Sequence, residues 1–186
     1  MQCPQADPLR RRDPVAGDIT GVGTSLCPGR GRCGSVRYRP PVTSDLAEIG
    51  RLMSRFLSAV SFKQGEQPSY GDLPNLFALD ARLIRNSGMA PETLTVDEFV
   101  IARQRAVDTG ELTSFQETEL TETTELFGKV AHRFSTYAKQ GVTNGYAIDV
   151  RGAISTQFIR TPDGWRISSM AWDDERPGLA VSPAVP

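Results

Sequence analysis

His132 is the only histidine in the chain, and so the first residue to consider for moving a proton near neutral pH. It lies in an alternating run. If that run is a strand, Val130, His132, Phe134 and Thr136 share one face, and Ala131, Arg133, Ser135 and Tyr137 share the other. With the first face inward, an imidazole beside Phe134 can serve as acid or base in an apolar pocket. Otherwise His132 is hydrogen-bonded to a cross-strand neighbour. Carboxylates are the other candidates. Asp80 reads as the stop of a short helix. Glu117, Glu119 and Glu122 are interleaved with threonines, and Glu117 and Glu119 share a face. Two carboxylates turned inward repel unless a proton or a cation is shared, so a solvated outer face is expected for them. Asp149 and Arg151 can pair across solvent.

Other side chains could hold a ligand. Gln157, near Ser155 in the same stretch, can bond a carbonyl or hydroxyl group. Trp165 and Trp172 are seven residues apart, which puts them on opposite faces of a regular strand, one of them toward core or pocket. Tyr70 sits in a loop that could flank the pocket mouth. The expected site is therefore His132 as proton carrier, with Tyr70, Phe134, Tyr137, Gln157 and Trp172 around a ligand. No glycine-rich phosphate loop, nucleophile elbow or metal-ligand cluster occurs, and no cofactor is expected. Cys3, Cys27 and Cys33 all precede residue 44, in no usual zinc spacing and with no histidine near.

The elements that must position these residues begin near Ser44, a suitable N-cap followed by Asp45 and Glu48. Leu46, Ile49, Leu52, Met53, Phe56, Leu57 and Val60 form a helical stripe, which Gly65 and Pro68 close. Leu73, Leu76 and Phe77 suggest a short helix, and residues 80–85 a short strand. Thr95 and Glu98 have capping-box spacing at the start of a second helix, with Val96, Phe99, Val100 and Val107 as its apolar stripe and Gly110 as its exit. Four strands follow: 115–126, 130–138, 147–160 and 165–172. Gly128-Lys129 and Pro162-Asp163-Gly164 mark tight turns, 140–145 a polar loop, and Gly152 a bulge. Helices segregated from most of the sheet make an α+β domain.

Residues 1–43 carry seven arginines against three aspartates, a charge of +4, so the total of −1 leaves −5 for the remainder. That first segment is rich in Gly, Pro and Arg without periodicity, and a disordered extension is expected. The domain is expected over 44–176 and a flexible tail over 177–186. An acidic domain gives no electrostatic reason to bind nucleic acid. No apolar run reaches the ~18–20 residues that span a bilayer, and no uninterrupted apolar core marks a signal peptide. A cytoplasmic protein without membrane or nucleic-acid partners is expected.

LFALDARLI, VDEFVIARQ with SFQETEL, and LFGKVAHRFSTY, RGAISTQF and DGWRISSMAW, in that order, resemble the nuclear transport factor 2-like superfamily, specifically its SnoaL-like branch. The resemblance covers nearly all of residues 44–175. It implies a cone-shaped, strongly curved and mostly antiparallel sheet around a pocket, and a homodimer through the outer sheet face. Activities across that superfamily include isomerases, dehydratases, epoxide hydrolases and polyketide cyclases, alongside members without known chemistry, so fold alone does not select one. A scytalone-dehydratase-type site uses two histidines, and this chain has one. A ketosteroid-isomerase-type oxyanion hole needs a tyrosine on the first helix, where residues 44–63 contain none. The Asp-Arg-Asp set of the epoxide hydrolases has no clear counterpart. The resulting expectation is a small, mostly apolar organic ligand and cofactor-free proton transfer of isomerase, cyclase or dehydratase type. Its alternative is a non-catalytic ligand-binding or dimeric interaction module.

Overall fold

The computed structural model describes residues 43–181. The basic segment expected to be disordered lies outside the described residues apart from Thr43, as does the tail beyond Val181. Helix α1 (Thr43–Val60) buries Ile49, Leu52, Met53, Phe56 and Val60. Removing side chains of this size from water contributes roughly 1.5–3 kcal/mol each. The two acids of its first turns reach across to the sheet. Glu48 Oε1 accepts the Trp165 backbone N–H at 2.9 Å, and Asp45 Oδ1 accepts the Trp165 indole N–H at 3.2 Å and pairs with Arg160. The helix start is thus fastened to a hairpin far along the chain.

A 3-10 helix (Tyr70–Leu76) leads into β1 (Phe77–Arg85); β2 (Glu92–Thr95) and α2 (Val96–Asp108) come next. The long strands are β3 (Leu112–Phe127), β4 (Val130–Thr143), β5 (Tyr146–Thr161) and β6 (Gly164–Asp174). They form one six-stranded sheet in the order β2-β1-β6-β5-β4-β3. Every neighbouring pair is antiparallel except β1 with β6. The expected α+β architecture holds, as an open, mostly antiparallel sheet wrapped on its helices. Strand β2 was not anticipated, because its four residues run directly into the cap of α2. That capping box is complete: Thr95 Oγ1 accepts from the Glu98 N–H at 3.2 Å, and Glu98 Oε2 accepts from the Thr95 N–H at 2.8 Å. Helix α2 is half-buried rather than sunk in the core, with Val96, Phe99, Val100 and Val107 packed against it. Among the described residues no helix is long and apolar enough to cross a membrane.

Turn chemistry and register shifts set which side chains face the helices. Asn144 and Gly145 both take positive φ, 50° and 78°, so the expected loop 140–145 is strand up to Thr143 and then a two-residue turn. Gly152 makes no bulge, since β4 and β5 pair without a shift through it. The register shifts of the long strands fall elsewhere: Thr113 and Leu120 are skipped between β3 and β4, and Ser168 between β5 and β6. An extra residue reverses the alternation beyond it. The shift at Ser168 therefore brings Trp165 and Trp172 to the same, helix-facing side, where a regular strand would have separated them. At the end of the described chain, Arg176 and Leu179 exchange backbone hydrogen bonds of 3.0 and 2.8 Å around a tight turn.

Candidate functional site

Between the sheet and the two helices lies a cavity of about 320 Å³. Its apolar wall is Phe56 and Val60 from α1, Phe99 from α2, Ile154 from β5 and Trp172 from β6. Phe99 meets Trp172 edge-on, with ring centroids 6.5 Å apart. The polar groups are Glu117 on β3, Tyr137 and Lys139 on β4, and Arg103 on α2. Arg85 and Glu92 also line it, and they pair with each other at 2.6 Å.

Glu117 faces inward because Phe115 does. The two share one side of β3, and Phe115 is fixed by reciprocal backbone bonds with Phe62. The Glu117 backbone N–H donates to Ser61 Oγ at 3.0 Å, tying the strand to the end of α1. Burial pushes the Glu117 carboxyl up to about 7, although the charges of Lys139 and Arg103 pull it down. The outer, solvated position expected for this pair of glutamates is thus corrected. Glu117 and Glu119 both turn inward, and a cation stands near each: Lys139 is opposite Glu117 in the pairing of β3 with β4, and Arg133 binds Glu119 at 2.6 Å.

Next to Glu117 runs a short polar chain. Tyr137 Oη donates to Asp174 Oδ1 at 2.5 Å, and Lys139 Nζ donates to Asp174 Oδ2 at 2.7 Å. Burial, and then the Asp174 bond, push the Tyr137 phenol far up, so it stays protonated. Tyr137 can lie here only because Gly152 faces it across the β4–β5 ladder. A Cβ at Gly152 would collide with the Tyr137 hydroxyl and with the Asp173 carbonyl. Gly152→Ala is therefore expected to cost about 1–3 kcal/mol, as overpacking does, and to displace Tyr137 from the cavity wall. Urea unfolding and the environment of the tyrosine in NMR spectra check this; unchanged stability and spectrum would refute it.

Of the residues expected around the site, the structure brings together Tyr137 and Trp172, which line the cavity with Glu117. Tyr70 is not at a mouth: it is 1 % exposed within the 3-10 helix, beside Arg103. His132, Phe134 and Gln157 sit on the opposite, outer face of the sheet. There His132 Nε2 is 3.0 Å from Ser155 Oγ, and Phe134 is 50 % exposed. The reason is the inward run Ala131, Arg133, Ser135 and Tyr137, all buried, which leaves the alternate residues facing out. Asp80 does not stop a helix. It adopts a φ of 61° where β1 is irregular against β6. Among the described residues no group of three or more His, Cys, Asp or Glu side chains is placed to hold a metal ion.

No family model and no curated protein matches the chain. Solved structures do. A protein from Kribbella flavida is 19 % identical with a TM-score of 0.58, covering 72 % of this chain and 92 % of that one. A nuclear transport factor 2-like protein with a cystatin-like fold, from Novosphingobium aromaticivorans, is 18 % identical with a TM-score of 0.54, over 70 % of this chain and 81 % of its own. A candidate scytalone dehydratase from the same organism is 11 % identical with a TM-score of 0.58, over 72 % and 85 %. The chain has the fold of the nuclear transport factor 2-like superfamily, the cystatin-like cone.

Proposed function

We propose that this cavity binds a small, mostly apolar organic molecule and that Glu117 moves a proton on it without a cofactor. The observation that carries the reading is a carboxyl held at about 7 by burial, inside a cavity with aromatic walls. A base poised near the operating pH is half ionised and still basic enough to take a proton next to a carbonyl. Lys139, whose ammonium has protons beyond the one given to Asp174, is the donor for the oxygen where negative charge develops. Isomerisation, cyclisation and dehydration all begin with such a step, and the likeness to a candidate dehydratase supports that range. The role expected of His132 passes to Glu117, and the polarising role expected of Gln157 or Tyr137 to Lys139. Incubating the protein in D₂O with a panel of small cyclic ketones tests this. The native protein is expected to exchange the α-protons, and Glu117→Gln to stop it. Exchange that survives the substitution overturns the role of Glu117.

The outer sheet face belongs to the same proposal, as the seam of a homodimer. Phe127, Val130 and Phe134 are each half-exposed or more and cluster around the β3–β4 hairpin, an apolar patch of the kind that marks an interface. Phe134→Glu is expected to halve the mass seen by analytical ultracentrifugation. A native protein that sediments as a monomer overturns the dimer.

A further inference from the structure

The cavity contains a cation that makes no direct ion pair among the described residues, although its charge reaches the Glu117 carboxyl. Arg103 lines it from α2, stacked on the Phe115 ring with its guanidinium carbon 4.4 Å from the centroid and 6.0 Å from that of Phe99. Among the described residues no carboxylate makes an ion pair with it, whereas Arg85 has Glu92 and Lys139 has Asp174. Glu111 and Glu117 line the same cavity without reaching it. The Arg103 Nε is buried without a hydrogen-bond partner, and so is the hydroxyl of Tyr70 beside it. A buried guanidinium N–H without a hydrogen-bond partner is costly and uncommon in folded proteins. The missing group is an acceptor, and next to a guanidinium it is an anionic one.

We infer that the cavity takes a small organic acid, its carboxylate seated on the Arg103 fork and its apolar body lying between Phe56, Phe99, Ile154 and Trp172. This deepens the proposed function and rests on it. The planar guanidinium presents paired N–H groups matched to a carboxylate, and its place over the Phe115 ring restrains that fork. The same carboxylate supplies an acceptor for the Tyr70 hydroxyl. The wall residues are aromatic or branched aliphatic, which suits an acid carrying a ring or a compact hydrocarbon. Held by its acid group at α2, such a molecule extends toward β3 and β4, where Glu117 and Lys139 wait. Arg103 is on this reading a binding residue, and Glu117 the group that handles the proton.

Benzoate, cinnamate and indole-3-acetate, each set against its primary amide, test this by calorimetric titration of the full chain. At least one acid is expected to bind about tenfold or more tightly than its amide, the worth of a charge-assisted fork. Arg103→Gln removes that difference, while Arg103→Lys, which keeps the charge without the fork, retains only part of it. The comparison within the native protein needs no variant to fold. Equal binding of acid and amide overturns the carboxylate assignment and leaves the ligand cavity standing. Binding of no acid and no amide overturns both.

Discussion

Glu117→Gln is expected to make the protein more stable at pH 8 by on the order of 3 kcal/mol while lowering any proton transfer about 10²–10⁴-fold. The Glu117 carboxyl releases its proton at about 7 when folded, against an ordinary value of 4.5. Between those two pH values the folded protein keeps a proton that the unfolded chain has lost, so the unfolding free energy falls as pH rises. Above 7 the carboxylate sits ionised in its poorly solvated place, and the cost is complete. Each tenfold change in proton affinity corresponds to ~1.4 kcal/mol, which gives the magnitude. Glutamine keeps the shape and never ionises. Native protein is thus expected to lose stability from pH 5 to pH 8, and the variant to lose much less. Urea unfolding at several pH values measures both, and parallel curves for the two proteins would rule out a desolvated Glu117. A residue whose removal helps folding and harms chemistry is what a working acid or base in a poorly solvated pocket should be.

The elements were legible in the sequence wherever a local rule governed them. The stripe of α1, the Thr95–Glu98 box, the turns at Gly128 and Gly164 and the exit at Gly110 each depend on neighbours a few residues away. Strand faces were harder, because alternation defines two faces and does not say which one the helices cover. On β4 the misleading cue was hydrophobicity: Val130 and Phe134 flank His132, yet the buried side holds Arg133, Ser135 and Tyr137. A signal for the correct face existed in Phe115. An aromatic residue that belongs to the core carries Glu117 and Glu119 inward with it, two and four residues on. The glutamates then require cations on the next strand: Lys139 stands opposite Glu117, and Arg133, four residues from the Glu119 partner Tyr137, reaches Glu119 with its side chain. Repulsion between two buried acids was a sound reason to expect exposure, and it was outweighed because the compensating charges came from β4.

The bulges at Leu120 and Ser168 had no comparable mark, since neither is a glycine and each depends on strands pairing across the sheet. Conversely, Gly152, which invited a bulge, is a glycine for the sake of the Tyr137 ring. The site follows from these three positions. Without the shift at Ser168, Trp172 would leave the cavity; with a side chain at 152, Tyr137 would.

Glu119→Ala is expected to destabilise the protein by roughly 3–5 kcal/mol, the cost of leaving a buried charge without its partner. Arg133 is only 8 % exposed, and Glu119 takes two of its N–H groups, at 2.9 and 2.6 Å, together with the Ser135 hydroxyl at 2.5 Å. Glu122 at 2.8 Å and Thr124 at 2.9 Å remain after the substitution and place the loss toward the lower end of that range. Burial alone would raise the Glu119 carboxyl, but the bonds from Arg133 and Ser135 and the charge of Arg133 outweigh it and hold it below the usual carboxylate range. Glu119 therefore adds stability that is present above its ordinary value of 4.5 and is lost as pH falls through its lower folded value. Two glutamates on one face of β3, two residues apart, thus have opposite pH signatures. The native protein should be most stable at mildly acid pH, between the loss of Glu119 ionisation below and the ionisation of Glu117 above. Changing the pair together, Glu119→Leu with Arg133→Met, should cost much less than Glu119→Ala alone, because no buried charge is left stranded and the Glu122 carboxylate that loses Arg133 is exposed. A double variant as unstable as the sum of its single changes would mean that the pair is not coupled. The inward orientation of this face would then lose its support.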